Sequence, residues 1–192
     1  MIGLRQKLAL WCVAKLFRVR AHGVAYLRPG QGGMLVMINH DHPWDWFFLA
    51  PFLSPGTRFA LHPREMPSKR LRVWCDWIEF VSLDPMDPDG IKPLVRHLKN
   101  DGVVALFASG GGMGQGAVGK VSAGIARLPE LAGVPVAAVW MRHAGYRGVV
   151  RELTVQSPQR VISSVTDLME RAALYLEGQP ATLWDTLRRS VR

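Results

Sequence analysis

Met34-Leu35-Val36-Met37-Ile38 runs directly into Asn39-His40-Asp41-His42-Pro43-Trp44-Asp45. Five consecutive apolar residues are too few for a buried helix and suit a strand covered on both faces. The polar block ends that run. The aromatic segment 44–53 behind it predicts a helix that stops at Ser54-Pro55-Gly56. A strand that passes through a polar loop into a helix is the repeating unit of an open α/β sheet. In such sheets ligand-binding and catalytic groups sit beyond the carboxyl ends of the strands.

The same alternation continues on both sides. Residues 19–27 predict a strand and Pro29-Gly30-Gln31-Gly32-Gly33 a turn. Further strands are expected at 58–61, 80–83, 103–107, 134–141 and 149–155, and helices at 68–77, 88–99, 121–132 and 163–176. Ser68 and Asp87 stand where helix N-caps belong. No repeat and no linker divides the 192 residues. The expectation is a single α/β domain, 18–192, with a largely parallel central sheet flanked by helices, preceded by an amphipathic helix over 1–17.

Charge narrows the partners. The chain has 24 Lys+Arg against 15 Asp+Glu, a formal net charge of +9, which suits an anionic partner. Cys12 and Cys75 are too few for a disulfide framework or a four-cysteine zinc site, and two buried free thiols in a reducing compartment are expected. No run of about 18 uncharged apolar residues offers a spanning helix. In 1–17, however, Leu4, Leu8, Trp11, Ala14 and Arg18 lie close to one stripe, widened by Ile2, Leu10, Val13 and Phe17. A basic, Trp-bearing helix of that kind can lie in a membrane interface or pack on its own domain, and one helix can do both. Arg64, Lys69, Arg70 and Arg72 cluster with Trp74 and Trp77. They form either a face for lipid headgroups or an acidic carrier, or a solvated helix face over core tryptophans. Zinc spacing and RNP-like aromatic runs are both missing, so nucleic acid is not the expected partner.

His40 and Asp45 have four residues between them. A loop turning into a helix can return the carboxylate to the imidazole, fixing its tautomer and stabilising the imidazolium. The other ring nitrogen then takes a proton from an alcohol. Asp45 as a plain helix cap, and a metal site from His40, Asp41, His42 and Asp45, are the competing readings. No distant cluster completes the metal set, and no metal or cofactor is expected. Trp44, Trp46, Phe47 and Phe48 either wall an acyl pocket or belong to the ordinary core.

Asn39-His40-Asp41-His42-Pro43-Trp44-Asp45 resembles the first block, Asn-His-x-Ser-x-x-Asp, of the lysophospholipid acyltransferase (PlsC-like glycerolipid acyltransferase) family, with His42 at the Ser position. Phe80-Val81-Ser82-Leu83-Asp84-Pro85 with Ile91-Lys92-Pro93-Leu94-Val95 resembles the second block. The form is that of the 2-acylglycerophosphoethanolamine acyltransferase/acyl-ACP synthetase fusions. Gly133-Val134-Pro135-Val136 resembles the fourth block, and Thr182-Leu183-Trp184-Asp185-Thr186-Leu187 the segment leading into the ligase half. The third block departs from the family: Phe-Pro-Glu-Gly-x-Arg is replaced by Phe107-Ala108-Ser109-Gly110-Gly111-Gly112.

The resemblance implies transfer of a fatty acyl group from acyl-ACP or acyl-CoA to a hydroxyl of a lysophospholipid or related lipid. His40 would be the general base and Asp45 its orienting carboxylate. Asn39, His42, Trp44, Ser109, Gly110, Gly111 and Lys120 would lie against substrate. It also implies a peripheral place on the cytoplasmic face of a bacterial inner membrane, against an anionic surface. Two rival expectations are a non-catalytic lipid- or carrier-binding relative and an acyltransferase for an acceptor outside the phospholipids. Gly114 to Lys120 also fits the start of a P-loop, Gly-x4-Gly-Lys. The hydroxyl that would hold magnesium comes one place late, at Ser122, and six residues separate Phe107 from Gly114, so a phosphate-contacting loop is expected instead.

Overall fold

The computed structural model describes residues 3–27, 32–40, 44–84, 88–108, 123–143 and 150–160. Its strands are β1 (Arg20–His22), β2 (Met34–Ile38), β3 (Thr57–Leu61), β4 (Ile78–Ser82), β5 (Val103–Phe107), β6 (Val136–His143) and β7 (Val150–Val155). Its helices are α1 (Leu4–Lys15), α2 (Asp45–Leu49), α3 (Lys69–Trp74), α4 (Ile91–Lys99), α5 (Ala123–Ala126) and α6 (Leu128–Ala132). One sheet runs in the order β1-β7-β6-β2-β5-β3-β4. Every pairing is parallel except β6 with β7. The expected α/β architecture with a largely parallel sheet is therefore the observed one.

β2 and β5 are buried at every position, as continuous apolar runs in a sheet covered on both faces must be. Alternate side chains separate into two cores. Met34, Val36 and Ile38 join Phe59, Phe107, Val139, Val13 of α1 and Trp46 and Phe48 of α2. Leu35 and Met37 join Leu106, Leu94 and Leu98 of α4, Ile125 of α5 and Leu128 of α6. Each such side chain, fully buried, contributes roughly 1.5–3 kcal/mol through the water it sheds.

Some element boundaries differ from the sequence expectation, and the chain supplies the reasons. The strand expected over 19–27 is only three residues long, followed by a 3-10 turn at Val24–Leu27. Gly23 between them has φ +69, and a Cβ there would strike the Val155 carbonyl of β7. The helix expected over 121–132 is divided after Ala126, because Pro129 stands second in α6 and its ring is incompatible with a continuous helix. The segment 44–53 is α2 followed by a 3-10 turn that has Pro51 in its first positions. Ser68 does cap α3, its Oγ accepting from the Leu71 N–H at 3.5 Å. The expected helix 163–176, the segment 182–187 and the Asp87 cap lie outside the described residues.

α1 packs on the domain through a stripe other than the one its leucines suggest. Gln6 and Val13 are buried, and the Gln6 side-chain amide donates to the carbonyls of Pro51 (3.0 Å) and Leu53 (2.8 Å). Arg5 donates to the Val73 carbonyl and pairs with Asp76 at 2.7 Å. Leu4, Leu8 and Trp11 face outward. Cys12 is half-buried rather than buried, Cys75 is buried, and both thiols are free. Burial, with Asp76 adding to it, pushes the Cys75 thiol up to about 11.

Candidate active site

Register places the chemistry. Ile38, the last residue of β2, lies beside Phe107 of β5 and Val139 of β6. The chain leaving β2 therefore emerges at the carboxyl edge of the sheet's centre. Asn39 makes that exit rigid. Its amide donates to the Met141 carbonyl at 2.9 Å and accepts from the Met141 N–H at 2.6 Å, adding a side-chain rung to the β2–β6 ladder beyond the backbone bond from the Asn39 N–H to the Val139 carbonyl. Asn39 was expected to lie against substrate; these two bonds hold the strand end that aims His40.

His40 is next. Its ring lies against Phe107, centroids 4.0 Å apart and planes tilted by 30°. Asp45 opens α2 and is fully buried. Its Oδ2 lies 3.4 Å from His40 Nδ1. That is an ion-pair distance slightly beyond the usual 2.7–3.2 Å of an N–H···O bond. The expected return of the carboxylate across four intervening residues is thus the observed geometry. Asp45 is the first residue of its helix, yet its carboxylate is directed at the imidazole.

A third group, not expected from sequence, completes the centre. Glu65 ends the 3-10 turn Pro63–Glu65 that follows β3. Its Oε1 is 3.1 Å from His40 Nε2. The imidazole is therefore held between two carboxylates, with side-chain exposures of 1% for His40, 0% for Asp45 and 15% for Glu65. Burial on its own pushes the His40 pKa down. The hydrogen bonds and charges of Asp45 and Glu65 outweigh it and raise the group to about 9. Both nitrogens then carry protons at neutral pH, and the resting side chain is an imidazolium. The sequence signal for Glu65 was slight: a lone acidic residue two places after a proline, 25 residues from the histidine.

The aromatic residues after the histidine divide between the two expectations. Trp46 and Phe48 are core, packed edge-on against Phe80 (5.4 Å) and Phe17 (5.3 Å) respectively. Trp44 is half exposed at the rim, stacked on Trp46 at 6.4 Å. Trp77 is core and donates its indole N–H to the Ala50 carbonyl at 3.0 Å, whereas Trp74 stays exposed. Arg64 is exposed beside Glu65, on the same edge of the sheet as His40. Arg58 begins near the opposite, amino-terminal end of β3 and pairs with Glu79 at 2.7 Å. Arg142, near the end of β6, pairs with Glu152 at 3.0 Å. Asp41, His42, Ser109, Gly110, Gly111 and Lys120 lie outside the described residues.

Two comparisons with known proteins bear on the family and the fold. A family model described as Acyltransferase matches residues 18–142. Among solved structures, the 1-acyl-sn-glycerophosphate acyltransferase PlsC from Thermotoga maritima matches with a TM-score of 0.65 at 17% identity. The match covers 92% of this chain and 81% of that one. At that identity the likeness speaks for the fold.

Proposed function

This chain belongs to the acyltransferase family, and on that premise we propose that it moves a fatty acyl group from a thioester, acyl-ACP or acyl-CoA, to a hydroxyl of a lysophospholipid or related lipid. The observation that carries this reading is the buried His40–Asp45 pair at the carboxyl end of β2, on the rigid exit built by Asn39. Asp45 occupies Nδ1, so Nε2 is the nitrogen that receives the proton. The acceptor oxygen bonds to the thioester carbonyl carbon while its proton passes to Nε2. The C–S bond then breaks, and the departing thiolate takes the proton back from the imidazolium. Asp45 stabilises the positive charge while it exists.

The acceptor class we propose rests on the sequence of the third block. Where the family carries Glu and Arg, this chain has Ser109, Gly110, Gly111 and Gly112, with Lys120 further along. Backbone N–H groups and one ammonium grip a phosphate less selectively than a positioned guanidinium. A diester headgroup, or a lipid without phosphate, suits this site better than a phosphate monoester.

The place of action in this reading is the anionic cytoplasmic face of a bacterial inner membrane, held peripherally. No helix among the described residues is long and apolar enough to cross a membrane. Support comes from Leu4, Leu8 and Trp11 of α1 and Val73 and Trp74 of α3, all exposed, with Arg5 joining the two helices. Lys7, Lys15, Lys69, Arg70 and Arg72 of the same two helices are exposed as well.

The deciding experiment incubates the protein with palmitoyl-ACP or palmitoyl-CoA and a panel of lysolipids and alcohols, with products read by mass spectrometry. A new ester absent from a His40→Ala control supports the reading. Absence of any ester with folded protein favours a non-catalytic lipid- or carrier-binding role.

A further inference from the structure

His40 has two ring nitrogens, and acyl transfer needs one of them to accept a proton. Asp45 faces Nδ1, which leaves Nε2 for the acceptor hydroxyl. In the structure Nε2 is taken by Glu65 Oε1 at 3.1 Å. An ionised carboxylate only accepts hydrogen bonds, so the proton in this contact belongs to the imidazole, and an N–H cannot take a second one. The two carboxylates are held differently. Asp45 is fully enclosed at the start of α2, whereas Glu65 is partly exposed at the end of a short turn. That turn is closed by the Glu65 N–H on the His62 carbonyl (2.8 Å) and the Arg64 N–H on His62 Nδ1 (3.2 Å). Among the described residues these are the two carboxylates that face the ring. Phe107 of β5 covers the imidazole and carries no charge, and Asn39, just past β2, is turned to Met141 of β6.

We propose that Glu65 is a displaceable guard on the catalytic base: its carboxylate occupies the nitrogen that the acceptor hydroxyl needs, and so withholds His40 from water until the acceptor binds. The proposal rests on the acyltransferase reading and adds a determinant of specificity to it, the choice of lipid alcohol over water. An unguarded base serves both nucleophiles. With water, the oxygen bonds to the thioester carbonyl carbon, the proton passes to Nε2, the C–S bond breaks, and the thiolate recovers the proton, leaving free fatty acid. Water brings no binding energy with which to move a paired carboxylate. A lipid acceptor brings the contacts of its chains and headgroup, and these are available to drive the displacement. As Glu65 leaves, it takes the Nε2 proton as a carboxylic acid and releases it to solvent. A neutral imidazole then faces the acceptor hydroxyl.

The test uses the full-length protein as wild type, Glu65→Ala, which opens the nitrogen, and Glu65→Gln, which keeps the volume without the charge. Hydrolysis of palmitoyl-CoA and of palmitoyl-ACP is followed at pH 7 without acceptor. The His40 ring is titrated in parallel by NMR of histidine-labelled protein, assigned with His40→Ala. The guard requires hydrolysis by Glu65→Ala to rise at least tenfold over wild type and to vanish in Glu65→Ala/His40→Ala. It also requires His40 to lose its proton at lower pH in both single variants. Unchanged hydrolysis, or a titration that does not move, overturns it. A shifted titration with unchanged hydrolysis does so equally, because Glu65 is then a plain ion-pair partner. If wild type transfers acyl groups to no acceptor, the acyltransferase reading falls separately. The titration needs no substrate and decides separately whether Glu65 holds the Nε2 proton, without which there is no guard.

Discussion

At the scale of single residues, His40, the base of the proposed reaction, is also a stability determinant that depends on pH. Its folded pKa, about 9, lies above the ordinary 6.5. A raised histidine favours the fold most when protonated in both states. The stabilisation is therefore complete below about pH 6.5 and lost as pH rises through about 9. The melting temperature should fall across this window in wild type and fall less in Glu65→Gln. Parallel curves for the two proteins, measured by scanning calorimetry at matched ionic strength, would show that the carboxylate does not hold the proton. For catalysis, His40→Ala should lower acyl transfer by roughly 10²–10⁴-fold, the usual loss with a general base. Asp45→Asn should also be severe, since the imidazolium loses its charge partner. Turnover near wild type in His40→Ala sinks the mechanism. The His-Asp pair was legible because its members lie five positions apart, just past the end of β2 and at the start of α2, where a short connection can return the carboxylate to the ring. Glu65 was not. It reaches His40 only because β3 and β2 both flank β5, so that both loops converge over Phe107.

At the scale of elements, the edge of packing tolerance is visible at Gly33, where the chain enters β2. A Cβ there would drive into the Leu98 carbonyl at the end of α4 and crowd Val134 ahead of β6. The obstacle is backbone, which cannot rotate away. Gly33→Ala should cost about 1–3 kcal/mol, as overpacking typically does. For a domain of this length that is a fall in Tm of roughly 2–12 °C. An unchanged Tm would mean that α4 slides without penalty. The strands β2 and β5 were readable because both faces of the sheet are covered and their sequences are unbroken apolar runs. Boundaries failed where a single residue overrides a regional preference: Gly23 ends β1 and Pro129 divides α5 from α6. For α1, periodicity showed an apolar stripe without showing which way it faces. Docking was decided by Gln6, a polar residue that satisfies two carbonyls of the turn after α2.

At the scale of the whole molecule, charge and exposed apolar surface predict how the protein meets its partners. The net charge of +9 and the outward α1–α3 residues should make it sediment with vesicles containing anionic lipid. Salt should weaken the binding, because the screening length contracts to about 3 Å at 1 M. Removing residues 1–16 should weaken it further by deleting apolar contact. Equal, salt-independent binding to neutral vesicles contradicts the electrostatic part. The acceptor should reflect the same balance of charges at close range. A phosphate monoester carries about −1.5 to −2 at neutral pH, a diester about −1. At the centre, two carboxylates face one imidazolium, a local excess of negative charge. Arg58 lies toward the other end of β3 and Arg142 is paired with Glu152, so neither supplies a ready counter-charge. Arg64 is exposed on the rim. Glycerol 3-phosphate and lysophosphatidate should therefore be poor acceptors, and lysophosphatidylethanolamine or an uncharged lipid alcohol better ones. The comparison is kcat/KM for each acceptor at one fixed donor concentration. A clear preference for lysophosphatidate refutes the charge argument and directs attention to Arg64. Arg64→Ala should in that case abolish the preference while leaving transfer to the uncharged alcohol intact.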